Sequence, residues 1–211
     1  MPLPRDWRKL PWYARYELGE HVISRLRQVS VQATHLHCTV EFQGPVHIGP
    51  GFHLDIPDAG TLIVGRGVDF RRGFVCQIAG NGRVVIGAGS IFTSNAMIQC
   101  STSIEIGERC VFGQSALIVD GQHRYLGLDR HWLEQGWDFD PFRIGDGAGI
   151  SDKCTIQAEI GERAMIASHS VVNRPIPPFS VAAGVPARVI RKFGPDEQPL
   201  PEIARAEPPA A

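Results

Sequence analysis

His123 stands where a strict rhythm in the sequence stops. Apolar residues fall six apart at Ile106, Phe112 and Ile118, and the rhythm does not return until Ile144. Residues 122–143, QHRYLGLDRHWLEQGWDFDPFR, fill the gap and concentrate aromatics: Tyr125, Trp132, Trp137, Phe139 and Phe142. A long excursion from a compact repeating chain is more often functional than accidental. An imidazole is largely neutral at pH 7 and can take a proton from a reacting group, so His123 is the candidate general base. Taken alone it is an exposed loop histidine, and its place at the break distinguishes it. His131, in the same loop, reads as a surface residue. His21, His35, His37, His47 and His53 carry no pattern.

The rhythm itself says what must hold such a residue. Triads spaced by six recur at Val64, Phe70, Cys76; Ile86, Phe92, Ile98; Ile106, Phe112, Ile118; Ile144, Ile150, Ile156; and Ile160, Ile166, Val172. One residue after the apolar position stand Gly87, Thr93, Gly107, Gly113, Gly145, Ser151, Gly161 and Ala167. Four after it stand Ser90, Ala96, Cys110, Ala116, Ala148, Cys154, Ala164 and Ser170, again all small. Every sixth residue of a helix lies about 240° round the axis, so period six gives no helical stripe. A short strand followed by a tight turn fits: the large residue enters the core and the small ones sit at the bend. Three such sides make a triangular coil, and stacked coils bury a continuous core.

Composition narrows the classes. The 211 residues suffice for one domain with a real core and a small appendage. A net charge of −1 gives no general pull toward nucleic acid or anionic membrane. Five scattered cysteines without a CxxC pair speak against a disulfide framework or structural zinc, and for a reducing cytoplasm. No apolar run approaches the ~18 residues of a spanning helix, and the N-terminus carries charges where a signal peptide needs an apolar stretch.

With these columns in place, the chain resembles the hexapeptide-repeat acyltransferases. The stretch IGERAMIASHSVVNRPIPPFSVAAGVPARVIRKF is similar to the end of the galactoside, maltose and nodulation-factor O-acetyltransferases and of related polysaccharide O-acetyltransferases. Pro175–Arg191 is its most specific part, and the resemblance covers roughly residues 60–193. It implies an all-β fold, a left-handed parallel β-helix of hexapeptide-repeat coils. It implies acetyl-CoA as acyl donor, lying along the groove between neighbouring subunits of a homotrimer. It also implies a histidine seventeen residues after the isoleucine of an IG step; Ile106 plus seventeen is His123.

The same resemblance carries over further positions. IGDGAGISD, Ile144–Asp152, corresponds to the relatives' IGDNVWIGS. On the cofactor side it implies Ala148, Gly149, Asp152, Ser168, Asn173, Arg174, Arg188 and Arg191, with the arginines suited to CoA phosphates. Gly149 replaces a tryptophan, which opens room for acyl groups longer than acetyl. On the acceptor side the candidates are Thr93, Asn95, Asp120, Tyr125 and Trp132. His169 stands where relatives have small residues. The GH step of the zinc-binding γ-class carbonic anhydrases, which share the fold, is absent, so no metal is expected.

The expected activity is O-acyl transfer to a sugar hydroxyl in surface polysaccharide or glycoconjugate synthesis. The alternatives are an N-acetyltransferase on an amino sugar and a non-catalytic β-helix scaffold. A serine acetyltransferase would need a larger helical N-terminal domain than residues 1–45. Domain edges are read as an N-terminal helical cap over 1–45, a β-helix over 46–193 with the protruding loop 122–143, and a disordered proline-rich tail over 194–211. The cap helix is read over 5–29, starting near Pro11, with Trp12, Leu18, Val22 and Leu26 as its apolar face.

Overall fold

The computed structural model describes Arg8 and residues 19–194. The chain winds into a parallel β-helix of three faces. The first face holds β1 (Thr39–Phe42), β4 (Thr61–Val64), β7 (Arg83–Ile86), β10 (Ser103–Ile106) and β15 (Phe142–Ile144). The second holds β2 (His47–Ile48), β5 (Asp69–Phe70), β8 (Ile91–Phe92), β11 (Val111–Phe112), β16 (Gly149–Ile150) and β18 (Met165–Ile166). It is closed by β20 (Ser180–Gly184) and β21 (Ala187–Lys192). The third holds β3 (His53–Asp55), β6 (Val75–Ile78), β9 (Met97–Cys100), β12 (Leu117–Val119), β17 (Thr155–Ile156) and β19 (Val171–Val172).

Each triad of the sequence is one coil. Val64, Ile86, Ile106 and Ile144 pair in register on the first face. Phe70, Phe92, Phe112, Ile150 and Ile166 do so on the second. Cys76, Ile98, Ile118, Ile156 and Val172 do so on the third. All are buried, Cys76 included. Parallel pairing puts like residues above one another, so Phe92 and Phe112 stack with centroids 4.5 Å apart and planes within 1°.

The small columns are required by the corners. A Cβ at Gly87 would lie 2.6 Å from the backbone nitrogen of Glu108 on the next coil, closer than side-chain carbons approach. Ser90 spends its hydroxyl inside the stack, donating to the Gly107 carbonyl at 3.0 Å and accepting from the Cys110 amide at 3.0 Å. A further column was hidden in the sequence. Three residues after each triad position of the first and second faces the backbone is left-handed, and besides glycines it is filled by Asn95, Arg109, Ser115, Lys153, Arg163 and His169. Its requirement falls on the backbone and not on side-chain type, so composition did not show it. His169 therefore sits exposed at a corner.

The cap differs from its sequence reading. The helix α1 spans Gly19–Thr34, and Trp12 and Leu18 lie outside the described residues. Val22 and Leu26 face outward, 62% and 65% exposed, while Ser24 is buried. The reason is that the helix covers a strand edge and not an apolar layer. Ser24 Oγ donates to the Val46 carbonyl and accepts from the Ile48 amide, Arg27 donates to the Ile48 carbonyl, and Gln28 to the Gly44 carbonyl. Backbone groups at an open edge need partners more than they need apolar cover. The first coil begins at Thr39, ahead of the boundary at residue 46. Residues 195–211, which make up nearly all of the tail read as disordered, lie outside the described residues.

Candidate active site

The loop after β12 is an ordered hairpin. β13 (Gly121–His123) pairs antiparallel with β14 (Trp137–Phe139), and His123 stands directly opposite Trp137. Their ring centroids are 3.4 Å apart, and Trp132 meets His123 edge-on at 4.7 Å. His131 is explained by local geometry: its Nδ1 accepts from the Leu133 amide at 3.3 Å, capping the short turn Trp132–Glu134. Arg124 and Asp138 pair at 2.6 Å across the hairpin. The imidazole of His123 is half-buried, and its Nδ1 is shut from solvent with no hydrogen-bond partner among the described residues.

Asp120 fixes the hairpin to the coil. It is 4% exposed, and its carboxylate accepts from the amides of Ser101 and Thr102 and from the Thr102 hydroxyl at 2.7–3.0 Å. The Cys100 thiol also donates to it, at 3.4 Å. Burial first, then the Asp120 charge, pushes that thiol up to about 12. Asp120, read from the sequence as an acceptor candidate, lines both clefts beside the hairpin while its oxygens accept from the turn beneath it.

Two clefts flank the hairpin where the third face meets the first. On the N-terminal side a cleft of about 410 Å³ is walled by Trp137 and Phe139 and floored by Gln77 and Gln99. On the C-terminal side a more polar one of about 230 Å³ is lined by Gln122, Asp138, Asp140, Gln157 and Asn173. Sequence reasoning missed Gln77, Gln99 and Gln157. The signal was present: all along the third face, the position after the apolar residue is Asp55, Gln77, Gln99, Val119, Gln157 and Asn173, and not a small residue.

The other expected acceptor residues do not join these clefts. Thr93 and Asn95 lie at the corner between the second and third faces, and the Thr93 hydroxyl oxygen is buried without a partner. Tyr125 is exposed on the loop and lines neither cleft. Of the acceptor set only Trp132 touches His123. Among the described residues, no group of three or more His, Cys, Asp or Glu could hold a metal ion, and no helix is long and apolar enough to cross a membrane.

No family model matches the chain. Over 192 residues it is 28% identical to a probable acetyltransferase of Mycobacterium tuberculosis, covering 90% of this chain and 57% of that one. Over 106 residues it is 34% identical to a serine acetyltransferase of Salmonella typhimurium, covering 48% of this chain and 36% of the other. Its fold matches an N-acyltransferase of Bacillus cereus bound to dTDP and coenzyme A, with a TM-score of 0.66 at 15% identity over 80% of this chain and 90% of that one. It also matches a galactoside acetyltransferase bound to coenzyme A, with a TM-score of 0.58 at 18% identity over 89% and 78% of the two chains. The chain is thus similar in sequence to acetyltransferases and shares the fold of the hexapeptide-repeat acetyltransferases. Its coil is the left-handed β-helix of those neighbours, and it spans only part of the length of the curated relatives.

In this hexapeptide-repeat protein the positions carried over for the donor are spread over the coil. Gly149 is on the second face, directly paired with Met165. The room left by the missing tryptophan is taken: a Cβ at Gly149 would lie 2.8 Å from Met165 Cε. Ala148 is buried in the core. Asp152 Oδ1 accepts from the Gln114 amide at 2.7 Å, tying two coils together, and Ser168 is exposed at the same corner. Asn173 lines the C-terminal cleft beside the hairpin, followed by exposed Arg174. Arg188 and Arg191 are exposed on β21. In a three-sided coil the second face lies opposite the corner that carries His123. One chain thus places Asn173 beside the hairpin that carries His123, and Gly149 and Arg191 on another face.

Proposed function

We propose that the chain is a CoA-dependent acyltransferase that moves an acetyl group from acetyl-CoA to a sugar hydroxyl, with His123 as general base. The observation that supports this reading is that the hairpin carrying His123 has a cleft on either side, which we assign to the acceptor on the N-terminal side and to the donor on the C-terminal side. His123 takes the hydroxyl proton as the oxygen attacks the thioester carbonyl. The tetrahedral adduct then expels the CoA thiolate, which recovers the proton from His123, so the histidine ends as it began. The similarity to a probable acetyltransferase and the coenzyme A complexes of the fold neighbours support the donor.

The active unit is a homotrimer. A second copy would bring its second face, with Gly149, Met165 and the Arg188–Arg191 strand, to the His123 corner of the first. Asn173 and Gln157 offer amides suited to the amide groups of the pantetheine arm, and the exposed arginines suit its phosphates.

Calorimetric titration of acetyl-CoA, with an Arg188→Ala, Arg191→Ala double variant alongside, tests the reading. Binding that weakens in the variant supports it. No binding points to a scaffold. The B. cereus neighbour is an N-acyltransferase, which keeps amide formation as a second reading. Mild alkali separates the two, since it cleaves an ester product and spares an amide.

A further inference from the structure

Resting on the acyltransferase reading, we infer that the acceptor is a neutral glycan of more than one sugar unit, laid along the N-terminal cleft over Asp55, Gln77 and Gln99, with the reacting ring against Trp137 and Phe139.

The first argument is charge. The residues lining this cleft include no lysine, arginine or histidine. Of its two carboxylates, Asp120 is spent on the turn beneath the hairpin, and Asp55 lies exposed at the far end. A phosphate or carboxylate on the acceptor would meet no counter-charge from this chain's lining of the cleft and one like charge. L-Serine, the substrate in the names of several relatives, carries a carboxylate that nothing in this cleft would receive.

The second argument is hydrogen-bonding character. Gln99 Nε2 donates to Gln77 Oε1 at 2.9 Å. The pair therefore leaves one amide donor group and one carbonyl acceptor without a partner among the described residues. A sugar hydroxyl is both donor and acceptor, and its ring has an apolar face that fits an aromatic wall. Gln77 pairs in register with both Asp55 and Gln99, so these side chains repeat once per coil along one line.

The third argument is length. From Asp55 to Val119 the cleft crosses three coil steps, or about 14 Å at the usual strand spacing of roughly 4.8 Å. A single sugar ring fills only the hairpin end.

The test uses the full chain and measures free CoA released from acetyl-CoA with glucose, maltose and maltotriose, and with the matching galactose and mannose series. The expected result is kcat/KM rising about tenfold from monosaccharide to trisaccharide in at least one series, the worth of one or two net hydrogen bonds. Gln77→Leu should lower the trisaccharide-to-monosaccharide ratio several-fold while the Kd for acetyl-CoA stays unchanged. Rates that are flat or fall with length overturn the inference. So does preference for glucose 6-phosphate, galacturonate, glucosamine or L-serine, and so does the absence of turnover on every neutral sugar by a chain that binds acetyl-CoA. Failure to bind acetyl-CoA overturns the acyltransferase reading itself.

Discussion

His123 and Trp137 face each other across the hairpin with ring centroids 3.4 Å apart, so the candidate base packs on the same indole that walls the N-terminal cleft. His123→Ala should lower turnover about 10²–10⁴-fold and leave acetyl-CoA affinity nearly unchanged. Trp137→Ala should lower kcat as well as raise KM, because it frees the imidazole and removes the wall. Steady-state kinetics and calorimetry on the two variants check this; unchanged turnover in His123→Ala removes that residue from the mechanism.

Met165 occupies the space beside Gly149, so the chain should prefer acetyl-CoA to butyryl-CoA despite the missing tryptophan. Met165→Ala should shift the preference toward the longer acyl group. Relative kcat/KM for acetyl-, propionyl- and butyryl-CoA in both proteins decides it. A wild-type chain indifferent to acyl length would show that the second face does not meet the acyl end of the donor.

Asp120→Ala should destabilise the fold by about 2–4 kcal/mol. It strands the half-buried amides of Ser101 and Thr102, and leaving hydrogen-bonding groups unsatisfied costs more than the bonds were worth. Urea unfolding measures the loss. Activity should fall too, since the hairpin loses its anchor. A loss under 0.5 kcal/mol would show that water takes the place of the carboxylate.

Cys100 links stability to alkaline pH. Its thiol is raised from an ordinary 9.0 to about 12 in the folded chain. Between those values the folded protein keeps a proton that the unfolded chain releases, so stability is full below pH 9 and declines toward pH 12. The slope assigned to this group is about 1.4 kcal/mol per pH unit. Denaturant unfolding of wild type and Cys100→Ala between pH 9 and 11 should show the wild type falling more steeply. Parallel slopes would place the thiol in contact with solvent.

The cap shows where reading by residue type fails. Val22 and Leu26 suggested a buried face, yet α1 turns Ser24, Arg27 and Gln28 inward, because an open strand edge offers carbonyls and amides. Nothing in the sequence of a helix says whether its neighbour is an apolar layer or a strand edge.

The coil was legible because parallel stacking repeats one environment every turn. Each core site demands the same residue type, and the demand is printed at period six from Val64 to Val172. The break at His123 was legible for the same reason. What only the tertiary structure decided was which outward residues meet. Gln77 and Gln99 are 22 residues apart in the chain and 2.9 Å apart in space, and they share a cleft with Phe139 on the hairpin. Outward positions are not constrained by packing, so their neighbours follow from coil length and loop path, which no local pattern records.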